Sequence, residues 1–172
     1  MPMKQLRGTE LKRFLRRQPK PRRELAIVLQ SVAYPVNVGS IFRIADACNA
    51  TQLVLAGITP TPPHPTILKV GRAKDSRVPW RYEEDTVTAV AQMRDEGYHI
   101  CALEITDQSK LYYEYPFPDR VCLVVGNEDH GVTRKILEMC DGATHIPMFG
   151  KGRSLNVHVS LAVVAYHVLT MP

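Results

Sequence analysis

Three short stretches hold the residue types that handle ligands. "NVGSIFR" offers Asn37, Gly39 and Arg43; "GNEDHG" offers Gly126, Glu128 and Gly131; "IPMFGKGRSLNV" offers Ile146, Pro147, Met148, Ser154, Leu155 and Asn156. An arginine grips phosphate or steadies a developing oxyanion. A glycine lets a backbone or a ligand come close. Serine and asparagine at a helix mouth cap the helix or hold a ligand against it. Plain structural readings stand beside these. Arg43 can pair with Asp46 at i+3, Glu128 can belong to a polar turn, and Ser154 can be an N-cap. Asn156, placed inside the first helical turn, is harder to explain that way, since asparagine is a poor helix-interior residue.

Other chemistry is disfavoured. No GxGxxG follows the first apolar strand, and "GKGRS" lacks the GxxxxGK[ST] spacing of a phosphate loop. Cys48, Cys101, Cys122 and Cys140 form no CxxC pair, so no zinc site or disulfide framework is expected. Each sits among apolar neighbours as a small hydrophobe, which fits a reducing, cytoplasmic setting. Tyr112, Tyr113 and Tyr115 can stack on bases, although packing at the core or its rim is the commoner use. His64 and His130 read as surface residues.

The elements that must carry these stretches alternate. "ELAIVLQ", "TQLVLAG", "YHICALE", "VCLVVG" and "ATHIPM" read as strands. "NVGSIFRIADACNA", "EDTVTAVAQMRDEG", "TRKILEMCD" and "SLNVHVSLAVVAYHVL" read as helices, with Ile41, Ile44, Ala45 and Cys48 on one face of the first. "ITPTPPHPTI" is dense in proline and reads as loop; "DQSKLYYEYPFPDR" reads as irregular surface. Alternation of this kind predicts an α/β fold: a mostly parallel sheet with helices on both faces. Ligands of such sheets bind beyond the carboxyl ends of the strands. The exits after Cys101, Val125 and Ile146 all carry small or polar residues there.

The chain has 172 residues and 45% hydrophobic residues, which suits one domain with an ordinary core. No apolar run approaches a membrane span and the N-terminus has no secretory h-region, so no membrane partner is expected. The net charge of +5 is uneven: residues 1–23 hold nine Lys/Arg and one acid, Glu10. This basic arm, residues 1–23, is an electrostatic footprint for a polyanion, with Arg13, Arg16, Arg17, Arg22 and Arg23 as contacts. "TELKRFLRR" within it has Leu11, Phe14 and Leu15 at helical spacing. Residues 24–172 form the single domain.

In their order and with their intervening elements, the three stretches resemble the SpoU/TrmH family of SPOUT-class RNA methyltransferases, from about Leu25 to about Leu169. The resemblance implies a C-terminal trefoil knot (the SPOUT, or α/β-knot, fold), S-adenosylmethionine as donor and an RNA ribose 2′-OH as acceptor. It also implies a homodimer that completes the site; no metal is expected, given the cysteine spacing. Carried over, Arg43 is the catalytic arginine with Asn37 in support, joined by Glu128, Ser154 and Asn156. The donor lies against Leu103, Gly126, Ile146, Met148, Ser154 and Leu155. A sulfonium methyl is already activated, so alignment and removal of one proton remain for the protein. Arg43 either takes that proton or stays charged beside phosphate and alkoxide. Transfer RNA is the expected substrate, because the chain leaves no room for a separate N-terminal RNA-binding domain. Ribosomal RNA is the alternative, followed by a non-catalytic RNA-binding role or an unrelated nucleotide enzyme. Where the family pattern has serine or another small residue this chain has His158, for which a packing or dimer role is expected.

Overall fold

The computed structural model describes residues 3–171. Seven strands form one sheet in the order β3-β2-β1-β6-β4-β7-β5, and all neighbours run parallel. The strands are β1 (Glu24–Gln30), β2 (Gln52–Ala56), β3 (Trp80–Glu83), β4 (His99–Leu103), β5 (Lys110–Leu111), β6 (Arg120–Val125) and β7 (Gly142–His145). The helices are α1 (Gly8–Arg16), α2 (Pro35–Cys48), α3 (Pro65–Gly71), α4 (Thr86–Asp95), α5 (Arg134–Leu137) and α6 (Val157–Thr170). Among the described residues no helix is long and apolar enough to cross a membrane.

Strands buried on both faces need apolar residues at every position, and the two central strands have them. In β1, Leu25, Ile27 and Leu29 join one core together with Ile41 and Phe42 of α2 and Leu161 and Val164 of α6. The alternate residues Ala26 and Val28 join a second core with Ala89, Val90 and Met93 of α4 and Ile136 of α5. This is the period-two alternation of a strand serving two helical layers. Gly39 lets α2 close on α3: a Cβ there would stand 2.9 Å from Cβ of Val70. The small residue thus admits backbone, not a ligand.

Several expectations need correction. The proline-rich stretch ends in a helix, α3: Pro65 sits at its first position, where a missing N–H costs nothing. His64 is its N-cap, accepting from Thr66 N, so it is not a free surface residue. The half-exposed edge strand β3 has no apolar run to announce it. The stretch 107–120 is not all surface, because it holds β5, and Tyr115 and Phe117 are buried in the core. Tyr112 packs partly buried on that core and Tyr113 is exposed. Helix α6 starts at Val157, so its N-cap is Asn156 and not Ser154.

The chain steps outward from β1 through β2 to β3, then crosses to the other side of β1, where β6, β4 and β7 lie. The switch falls between β1 and β6, which is where an open α/β sheet leaves a crevice at its carboxyl edge. In the arm, α1 has no buried residue, and Leu11, Phe14 and Leu15 are exposed together with its cations.

Candidate active site

A cavity of about 780 Å³ opens at that edge. Its walls come from the exits of β4, β6 and β7 and from the mouths of α2 and α6. Leu103, Gly126, Ile146, Met148, Ser154 and Leu155 all line it, and so do Asn37, Glu128 and Asn156.

Glu128 holds the cavity to α2. Its Oε2 accepts from Ala33 N (2.9 Å), and its Oε1 accepts from Tyr34 N (3.1 Å) and from Asn37 Nδ2 (2.7 Å). Helix α2 needs this help, because its N-cap Tyr34 makes no side-chain cap. A carboxylate brought from another loop supplies negative charge at the positive end of the helix dipole. Burial pushes the Glu128 pKa up, but the hydrogen bonds from Asn37 and the two backbone amides outweigh it and hold the carboxyl below its ordinary 4.5. A group with a depressed folded pKa contributes stability that is complete above its unfolded value and lost as pH falls through the folded one. Glu128→Gln is therefore expected to unfold at lower urea than the parent at neutral pH, with the gap closing as pH drops below 4.5. Parallel urea titrations across that range check this; a gap of constant size would remove Glu128 from the acid response.

The loop after β6 is folded on itself. Asn127 Oδ1 accepts from Asp129 N and His130 N, and its Nδ2 donates to Ser31 O. Asn127 and Gly131 are bridged across the turn. Gly126 is required there, since a Cβ would lie 2.1 Å from the carbonyl carbon of Gly131. From the β4 side, Glu104 accepts from Val132 N and from Ile105 N, both at 2.9 Å. Glu104, which lies outside the three stretches, and Asn127, which lies inside the second without being one of its candidate residues, also line the cavity. Each is the first or second residue after an apolar strand, which is the signal that could find them.

At the mouth of α6, Asn156 Oδ1 accepts from His158 N (3.1 Å), so Asn156 is the cap and its helix-interior placement falls away. Ser154 lines the cavity, exposed. His158 Nδ1 lies 3.0 Å from Asn37 Oδ1, which joins α6 to α2.

Arg43 does not line the cavity. It follows Asn37 by six residues, about 240° around the helix, and is exposed where Asn37 is buried. The pairing with Asp46 does not occur: Asp46 binds Lys74 Nζ at 2.8 Å. Val36, one and nearly two turns before Ser40 and Arg43, shares their side of α2 and is exposed. Tyr166, Val163 and Val159 are exposed along α6, which packs on α2.

Arg13, Arg16, Arg17 and Arg22 of the arm are exposed. Arg23 is half-buried and donates to Met171 O (2.9 Å), so it belongs to the body. The four cysteines are free thiols. Burial pushes the pKa of Cys48 up to about 11 and those of Cys101 and Cys140 up to about 12, so these thiols stay protonated. Among the described residues no group of three or more His, Cys, Asp or Glu could hold a metal.

Comparison with known proteins matches residues 24–166 to the SpoU rRNA Methylase family. The chain is 29% identical over 151 residues to the tRNA (guanosine(18)-2′-O)-methyltransferase of Escherichia coli (strain K12), covering 88% of this chain and 63% of that protein. It therefore spans less than two thirds of that curated relative. The AdoMet-bound rRNA methyltransferase from Sinorhizobium meliloti superposes with a TM-score of 0.79 at 24% identity, over 87% of this chain and 57% of that one. A structure addressing 2-OH methylation of C/U34 on tRNA superposes with a TM-score of 0.76 at 25% identity, over 85% of this chain and 94% of that one.

Proposed function

The chain belongs to the SpoU rRNA methylase family, and from that premise we propose that it is an S-adenosylmethionine-dependent RNA 2′-O-ribose methyltransferase with transfer RNA as substrate. The observation that carries this is the cavity, which gathers Leu103, Gly126, Ile146, Met148, Ser154 and Leu155 beside the Asn37–Glu128 clamp. Its volume suits a nucleoside-sized ligand. The wall also fits one chemically: Leu103, Ile146, Met148 and Leu155 offer apolar surface, and the loop after β6 offers backbone polar groups.

When bound, S-adenosylmethionine supplies a methyl group activated on a sulfonium. The residues named above hold it; Asn156 caps α6, and Glu128 and Asn37 fix the start of α2. Arg43, a guanidinium that stays charged in proteins, grips RNA phosphate and offsets negative charge on the 2′-oxygen as its proton passes to that phosphate or to water.

The site is completed across a homodimer. Arg43 is exposed on the side of α2 that carries Val36, and Val159, Val163 and Tyr166 are exposed on α6, which packs on α2; exposed apolar residues of this kind suit a second copy. The segment after β7 forms the trefoil knot of the fold. In support, β7 lies between β4 and β5, whereas α6 returns to pack on α2 and β1. Residues 24–172 are one catalytic domain and residues 1–23 a basic arm that contacts phosphate without reading sequence. Transfer RNA is favoured over ribosomal RNA because the neighbour described through tRNA methylation is almost fully covered by this chain. A cytoplasmic setting goes with the free thiols.

Labelled donor offered with total transfer RNA and with ribosomal RNA tests the reading. Label is expected at a 2′-oxygen of transfer RNA; no transfer to either RNA would overturn the activity, and label on ribosomal RNA alone the substrate. Deleting residues 1–20 is expected to weaken RNA binding and to flatten its salt dependence by about 0.7–0.9 in logarithmic slope for each phosphate that the arm neutralises. An unchanged slope would make the arm a bystander.

A further inference from the structure

We propose that His158 is a positioning residue of this site. Its Nδ1–H fixes the Asn37 amide, which in turn holds the Glu128 carboxylate, so that the mouths of α6 and α2 and the loop after β6 are set by one hydrogen-bonded chain. The proposal rests on the methyltransferase reading for its kinetic consequence and on the geometry for the bond itself.

The direction of the chain follows from what each group can do. An ionised carboxylate only accepts. Asn37 must therefore turn its amide nitrogen to Glu128 Oε1, at 2.7 Å. That leaves Asn37 Oδ1 facing His158 Nδ1, at 3.0 Å. A carbonyl oxygen cannot donate, so Nδ1 carries the proton. The neutral ring is then the Nδ1–H tautomer, with Nε2 bare. Turning the amide over would set Oδ1 against the carboxylate and lose the bond to Glu128 whichever tautomer the ring took.

The backbone of His158 is held as well, because its N–H donates to Oδ1 of its cap, Asn156. The chain thus runs from Asn156 through His158 and Asn37 to Glu128, and then to Ala33 N and Tyr34 N. Asn37, at the hub, is buried at 5% exposure, so a missing partner there is not replaced by water without cost. Asn37, Glu128 and Asn156 line the cavity and His158 does not. It acts through the others, as a positioning group does. Serine or alanine is too short to span from α6 to Asn37, so the bond requires a longer side chain at this position.

The test uses the full chain and three variants. Asparagine places an amide nitrogen where Nδ1 stood; glutamine places it further out, and alanine removes it. His158→Ala and His158→Gln are expected to lower kcat by about tenfold, with KM for RNA and Kd for S-adenosylmethionine changing less than about twofold. His158→Asn is expected to recover kcat to within about threefold of the parent. Long-range proton–nitrogen NMR of the parent is expected to show His158 as the Nδ1–H tautomer. An Nε2–H tautomer, or an asparagine variant as impaired as alanine, or three variants all as fast as the parent, would overturn the proposal. A parent that transfers no methyl group would instead sink the methyltransferase reading, and the tautomer alone would then decide the bond.

Discussion

Arg43→Ala is expected to reduce methyl transfer by about 1000-fold, about 4 kcal/mol of transition-state stabilisation, while affinity for S-adenosylmethionine stays at the parent value. The two effects separate because the side chain lies off the cavity wall. It is exposed on α2, and the acid that could have occupied it, Asp46, is bound to Lys74. A cation so placed contributes nothing to the cavity of its own body and is exposed to solvent. Single-turnover methylation and donor titration by calorimetry measure the two effects independently. Unchanged turnover would take Arg43 out of the reaction; weakened donor affinity would make it part of the cavity after all. Mixing this variant with one whose cavity is spoiled adds a geometric test. If the arginine serves the partner's cavity, random reassortment rebuilds about a quarter of the sites. If each copy uses its own arginine, mixing rebuilds none.

Gly126→Ala supplies the spoiled cavity and is itself the second large effect. The added methyl would lie 2.1 Å from the carbonyl carbon of Gly131 and 2.3 Å from Val132 N. These are backbone atoms, and they cannot swing aside. Asn127 stitches the turn from within and Glu104 holds Val132 from the β4 side, so relief requires opening the loop. Donor affinity is expected to fall by about 100-fold, and stability by about 1–3 kcal/mol, the usual range for overpacking. Gly150→Ala is the control, since a Cβ there meets nothing within 4 Å. Equal donor affinity in both variants would show that the loop is looser than its hydrogen bonds imply.

The centre of the fold is plain in the sequence because β1 and β6 must be apolar on both faces, which leaves unbroken runs. The margins are not. Pro65 looks like a helix breaker unless its place at the first position of α3 is known, and β3 and β5 are edge strands too short or too polar for a period to register. At the site, Ser154 and Asn156 are both good caps two residues apart, and spacing alone does not choose between them. Arg43 and Asn37 share one motif, yet helical arithmetic turns them to different sides. What a sequence does not carry on its face is long-range partnership. Glu128 is joined to backbone amides 95 and 94 positions earlier, and His158 to an amide 121 positions away.

The sheet order sets a condition on how the protein is made. β6 belongs between β1 and β4, both of which precede it in the chain. Until residues 120–125 have been synthesised, those two earlier strands have no common neighbour, and each leaves a row of unpaired amides and carbonyls open to other chains. A nascent polypeptide halted before that point leaves one border of β1 and both borders of β4 open, because β7 also comes later. Ribosome-bound fragments that end before β6 should therefore engage chaperones, and those that run through β7 should let go.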